Sequence, residues 1–223
     1  MRGVRIVGRG LHDTLEHLLA FSVVSLAWWA GVLLIVTAPA ATLALFVHAD
    51  PRIGTEKDRP TSGETLGYLR AHFFQSWKLA LFTAPLIAVL LINIATNRPG
   101  ENAFGVLAPV WLFLLLVVVF ITSSAYTHVA LLEFRVGEAL KQSALLTAAN
   151  VPRVFIVALL LWFLLAFGAV LVVPLAMFLP ATFAATINRF VFDARDIPVV
   201  DPLAPTDERM IEEQRRRESR FGP

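Results

Sequence analysis

Residues 17–49 read HLLAFSVVSLAWWAGVLLIVTAPAATLALFVHA, 33 positions without one Asp, Glu, Lys or Arg. As a single straight helix the run would measure about 50 Å, against roughly 30 Å of hydrocarbon in a bilayer. Thr37-Ala38-Pro39 interrupts it. Proline inside a helix removes a backbone hydrogen bond and clashes with the preceding turn, so the helix kinks or ends there. The stretch is therefore predicted to enter the bilayer as one helix, up to about residue 37. It returns from Pro39 as a second, shorter one. Three further windows, 79–97, 102–132 and 154–188, also lack Asp, Glu, Lys and Arg, and the four together cover just over half of the 223 residues. The last window is again too long for one crossing and contains Pro174 and Pro180. Its returning helix is predicted from about Pro180. The reading is an all-α, polytopic helical membrane protein of four apolar windows, the first and last broken by proline into folded-back helix pairs. Residues 1–195 form a single membrane domain, and 196–223 a polar, flexible tail. Pro85 is a predicted kink in the second window. The uncharged run after Arg2, Arg5 and Arg9 exceeds the 7–15 residues of a cleavable signal core, so it is read as a retained span.

Charge placement selects among topologies. Lys and Arg gather in cytoplasmic loops. If each window crosses once, the 19 basic residues divide 11 to 8 across the membrane. If the first and last windows go in and come back, 18 are cytoplasmic and only Arg98 is external. The second arrangement is preferred; it places both termini in the cytoplasm. The runner-up has four passes with long, kinked first and last helices.

Two polar connections then read as cytoplasmic helices. In residues 61–78, Thr61 and Glu64 match a capping box, and Leu66, Leu69, Phe73 and Trp77 recur at helical steps, with Arg70 and Lys78 on other faces. In residues 135–148, Val136, Leu140 and Thr147 share a side, and Glu138 stands near Lys141 and Gln142. Asn150 and Pro152 then open the next helix. Arg70, Phe73, Trp77, Lys78, Glu138 and Lys141 are the candidate partner-facing residues.

Composition narrows the function. With 57% hydrophobic and 16% charged residues, the chain is unlike a water-soluble globule. It has no cysteine, hence no disulfide, thiolate metal site or cysteine nucleophile. No phosphate-binding, dinucleotide-binding, serine-hydrolase or zinc-protease motif occurs, and no basic stripe suits nucleic acid. Neither a catalytic role nor a cofactor is expected. His12-Asp13-Thr14-Leu15-Glu16-His17 is rich in metal-binding types, with His12 facing Glu16 and Asp13 facing His17 at four-residue spacing; it reads as local pairing on an interfacial helix. The apolar windows hold no acidic or basic residue, which disfavours an ion-coupled pump. Asn93, His128 and Asn188 lie near their ends. The site-like features that remain are the helix breaks. Pro39-Ala40-Ala41-Thr42 and Pro180-Ala181-Thr182 look alike, as a duplicated unit would. A helix that begins inside a bilayer points free N–H groups at its surroundings. Thr37, Pro39, Thr42, Pro180 and Thr182 are therefore candidate helix-break or ligand-facing residues, and a small transporter or channel built on a repeated broken helix is the alternative function.

Leu26-Ala27-Trp28-Trp29, running into Thr37-Ala38-Pro39-Ala40-Ala41-Thr42-Leu43-Ala44-Leu45, is one block that resembles the YesL-like family of uncharacterised bacterial membrane proteins. Tyr68-Leu69-Arg70-Ala71-His72-Phe73-Phe74-Gln75-Ser76-Trp77-Lys78 is another, and the resemblance covers roughly residues 10–195. The chain departs at His72-Phe73, where the family more often has Asn before the aromatic. The resemblance implies a multi-pass protein of the cytoplasmic membrane without assigned catalysis. It also implies an accessory or regulatory part in carbohydrate uptake by transporters of the ATP-binding-cassette type. A sugar transporter complex would then be met through helices 61–78 and 135–148.

Overall fold

A computed structural model describes residues 2–53, 60–97, 103–170 and 173–199. The described residues are helical with no strand: α1 (Arg2–Glu16), α2 (Leu18–Leu33), α3 (Ala38–His48), α4 (Ser62–Thr96), a 3-10 turn at Ala103–Leu107, α5 (Ala108–Leu132), α6 (Val136–Ala149), α7 (Val151–Val170) and α8 (Val173–Ala194). Gly63–Thr96 and Gly105–Leu132 are each long and apolar enough to cross a membrane. The protein is an all-α, polytopic helical membrane protein.

Both long windows fold back on themselves. In the first, α2 and α3 are antiparallel: Trp28 Nε1 donates to Thr42 Oγ1 at 3.0 Å, and Thr37 Oγ1 donates to the Gly31 carbonyl at 2.6 Å. A Cβ on Gly31 would come within 2.6 Å of the Ala41 Cβ, so this helix crossing needs a residue without one. In the second window the start of α7 lies beside the end of α8, where Arg153 and Asp193 approach to 3.6 Å.

The position of the second break differs from the sequence reading. α8, described from Val173, runs through Pro180, which sits inside the helix. The Thr182 hydroxyl, rather than capping a helix start, donates to the Phe178 carbonyl at 2.9 Å. The predicted likeness of Pro39 and Pro180 therefore fails. Pro39 is the second residue of α3, whereas Pro180 lies inside α8. A proline in the first turn gives up an N–H that has no intrahelical acceptor there. At position 180 it gives up a real bond, which the flanking helix tolerates.

Two sharp bends lie elsewhere. Helices α1 and α2 meet at 96°, and α6 and α7 at 99°. The N-terminal helix therefore turns away from the line of α2 at their junction and lies against α7 and α8. Its face of Gly3, Ile6, Gly10 and Thr14 is buried, close against α7 and α8: a Cβ on Gly10 would lie 3.0 Å from the Thr186 Cα. Residues 61–78 lead into a span, as an amphipathic helix of that sequence should. They are the first half of α4, opened by the predicted capping box of Thr61 and Glu64. Helix α6 matches the predicted 135–148 within a residue at each end. The polar tail falls almost wholly outside the described residues, as do Lys57 and Arg98.

Burial is uneven along the bundle. In α5, Leu115 alone is buried before Phe120, whereas Ser123 to Ala130 are buried without interruption. That half is enclosed by α3, α4, α6 and α8. The opposite stretch of α4 shows Leu81, Phe82, Leu86, Val89 and Ile92 outward, as a lipid-facing surface would.

Candidate functional site

The enclosed end of the bundle gathers the polar side chains of five helices and of the turn after α3. Asn188 of α8 is fully buried. Its amide donates to the carbonyls of Phe46 and Ala49, both at 2.9 Å, and its Oδ1 accepts from Thr127 Oγ1 at 2.8 Å. Those two carbonyls lie at the end of α3, where helix carbonyls lose their own partners. One side chain thus closes the short returning helix and ties it to α5 and α8.

The next residue, Arg189, forms a buried ion pair with Asp13 of α1, through Nε to Oδ2 and Nη2 to Oδ1 at 2.6 Å. Two parallel N–H···O bonds hold a guanidinium and a carboxylate in one plane. The predicted Asp13–His17 pairing is thereby replaced, while His12 and Glu16 do approach, at 3.6 Å. No group of three or more His, Cys, Asp or Glu able to hold a metal exists among the described residues.

At the end of α8, Arg195 Nε donates to His128 Nε2 at 2.9 Å and its Nη2 to Gln142 Oε1 at 3.1 Å. Its guanidinium also lies 5.1 Å from the centre of the Phe134 ring. Guanidinium can only donate, so Nε2 is the accepting nitrogen and the imidazole proton is on Nδ1. That N–H points at the Ser124 carbonyl, 2.7 Å away, with Ser143 Oγ at 3.0 Å. Nearby, Asp50 chelates Arg52, accepting its backbone N–H at 2.9 Å and Nη2 at 2.7 Å. The Arg52 guanidinium lies 5.2 Å from the centre of the Phe192 ring. Both ring nitrogens of His128 and both oxygens of Asp50 are occupied by protein groups. A general acid or base needs an open position toward substrate, and these have none. This end of the molecule fastens helices together.

The candidate helix-break residues are not gathered into a site. Thr42 accepts from Trp28 and donates to the Ala38 carbonyl at 2.9 Å, so its hydroxyl is consumed within the hairpin. Thr37 bonds Gly31, Pro39 fills the first turn of α3, and Pro180 and Thr182 lie within α8. Two of the N–H groups at the start of α3 are also engaged: Ala38 donates to Ile35 and Ala41 to Thr37.

Among the candidate partner-facing residues, Arg70, Lys78, Glu138 and Lys141 are exposed, and Phe73 and Trp77 half-buried. Trp77 Nε1 donates to the Val36 carbonyl at 2.9 Å, anchoring the α2–α3 turn. The outward aromatic is its neighbour Phe74, 78% exposed. Arg70, Phe74 and Lys78 follow at four-residue steps and so form one outer stripe. This stripe is carried by a helix that meets the α5–α6 connection, where Gln75 Nε2 donates to the Phe134 carbonyl at 3.1 Å. Arg135, just ahead of α6, and Glu138, Lys141 and Leu145 on it are exposed.

Sequence reasoning missed the Asp13–Arg189 pair, the Asn188 bracket and the Arg195–His128–Gln142 chain. The signal was there in part. Asn188-Arg189 and Arg195 close an otherwise charge-free window, where a buried polar group must find partners. Comparison with protein-family models, curated proteins and solved structures finds no match to this chain.

Proposed function

We propose that this protein is a non-enzymatic membrane accessory that docks a partner on the cytoplasmic end of its bundle, as part of carbohydrate uptake by an ATP-binding-cassette transporter. The observation that carries the reading is a division of labour among polar groups. Those suited to chemistry or to ion coupling, His128, Arg189, Arg195 and Asp50, are engaged in bonds between or within elements of the fold. Those left outward, Arg70 and Lys78 of α4, Arg135 just ahead of α6, and Glu138 and Lys141 on it, flank the exposed Phe74 and Leu145 on two helices that meet at Gln75 and Phe134. Mixed charge around exposed apolar side chains is the make-up of a polar-rimmed contact surface. The choice of a sugar importer rests on the YesL-like resemblance, and the cytoplasmic placing on the bias of Lys and Arg to one side.

The test is site-specific photocrosslinking in native membranes, with the reactive residue at Phe74 or Lys141 and a control at Val89 on the lipid-facing stretch. The expected result is a crosslink to a permease or nucleotide-binding subunit of a sugar importer from the first two positions only. It weakens when Arg70 and Lys141 are both reversed to Glu. Transport of a sugar by the purified protein alone, reconstituted in liposomes, would overturn the reading in favour of a small transporter.

A further inference from the structure

We infer that one buried water molecule is bound between α5 and α6, held by the hydroxyls of Ser124 and Thr147. The two helices are antiparallel, joined through residues 133–135, and their register is set by Ser143 Oγ lying 3.0 Å from His128 Nδ1. One helical turn farther from the connection, the same register brings Ser124 of α5 opposite Thr147 of α6, since both steps are four residues. Ser124 is 0% and Thr147 5% exposed, and neither hydroxyl oxygen has a hydrogen-bond partner in the protein. Two facing orphans one turn from a His–Ser contact are unlike isolated ones. A buried hydroxyl without a partner is unfavourable, and a small polar space between two such groups is where proteins hold structural water.

The neighbouring groups fit that ligand. His128 spends its Nδ1 proton on the Ser124 carbonyl and on Ser143 Oγ, so the Ser143 hydroxyl proton is available in the same seam. A water there accepts from one hydroxyl and donates to the other. It extends to the next turn the chain that runs from Gln142 through Arg195 and His128 to Ser143. The seam is thereby joined by polar contacts at two levels. This inference does not depend on the proposed partner.

A structure of the full chain in lipid, at a resolution that resolves ordered solvent, is expected to show a solvent peak within about 3.2 Å of both oxygens. Direct contact of the two hydroxyls, or apolar packing between them without a peak, would overturn the inference. A second measurement reads the sign of the effect. Ser124→Ala and Thr147→Val are each expected to lower the melting midpoint by about 2–4 °C, and the double variant by less than the sum, because both remove the same water. An unchanged or raised midpoint in both single variants would mean that the hydroxyls are dry, and the inference fails.

Discussion

Single side chains decide how the helices of this protein are joined, and Arg189 is the clearest of them. The residue is 4% exposed, and its guanidinium is neutralised by Asp13, 176 positions away in the sequence. Taking away one partner of a buried pair leaves the other charge without compensation, at a cost of about 3 kcal/mol or more. Asp13→Ala is therefore expected to lower stability by that order in a denaturation titration in mixed micelles. The double change of Asp13→Leu with Arg189→Met is expected to cost much less, since no charge is then stranded. Asn188 makes the second prediction. Replaced by Leu, it leaves the Phe46 and Ala49 carbonyls and the Thr127 hydroxyl unsatisfied. At roughly 1 kcal/mol for each lost bond the expected loss is about 3 kcal/mol, read in the same titration. Neither role was legible in the sequence. Asn188 and Arg189 stand out there as polar residues at the edge of an apolar window, but their partners lie 61 to 176 positions away. Local spacing even suggested a wrong partner for Asp13. The four-residue step to His17 is real geometry, and a buried guanidinium outcompetes it.

At the scale of elements, proline position was the most legible signal and also the one misread. Ala38-Pro39, Ala108-Pro109 and Val151-Pro152 each occupy the first two places of a helix. Pro85 and Pro180 lie inside theirs. The rule that proline opens a helix in its first turn thus separates starts from kinks. At the last window both readings were open, because Pro174 and Pro180 are six residues apart in uniformly apolar sequence. Opposite signs are expected for the two kinds of proline. Pro180→Ala restores a backbone bond and raises stability by about 1 kcal/mol. Pro39→Ala loosens a pre-set first turn and lowers it by about 0.5 kcal/mol. Thermal melting in detergent checks both. The turn ahead of Pro39 offers a third case: Ile35 has φ of 49°, a left-handed conformation that a β-branched residue adopts at a penalty. Ile35→Gly is expected to raise the melting temperature.

For the whole molecule, the distribution of charge and the distribution of burial point the same way. The sequence predicted 18 of 19 basic residues on one side from hairpin topology alone. The structure independently brings the ends of α3, α5 and α8 and the starts of α4 and α7 to one enclosed end. There Asp50–Arg52, Arg153–Asp193 and Arg195–Gln142 meet. The other end of the α4–α5 pair carries Asn97 and the short turn Ala103–Leu107. A chain crossing once per window would put the α3–α4 connection and the charged turn after α5 on the face opposite the N-terminus. The observed hairpins put the Arg153–Asp193 and Asp13–Arg189 contacts, and hence α1, α7 and α8, at one level with that turn. Because the sequence has no cysteine, introduced single cysteines report position without background. An impermeant thiol reagent is expected to label Asn97→Cys in intact cells. Arg70→Cys and Lys141→Cys should react only after the membrane is opened. Labelling of Lys141→Cys from outside would reverse the orientation and remove α6 from the reach of any cytoplasmic partner. Labelling of Arg70→Cys but not Lys141→Cys from outside would separate two helices that Gln75 and Phe134 hold together, and so contradict the fold itself.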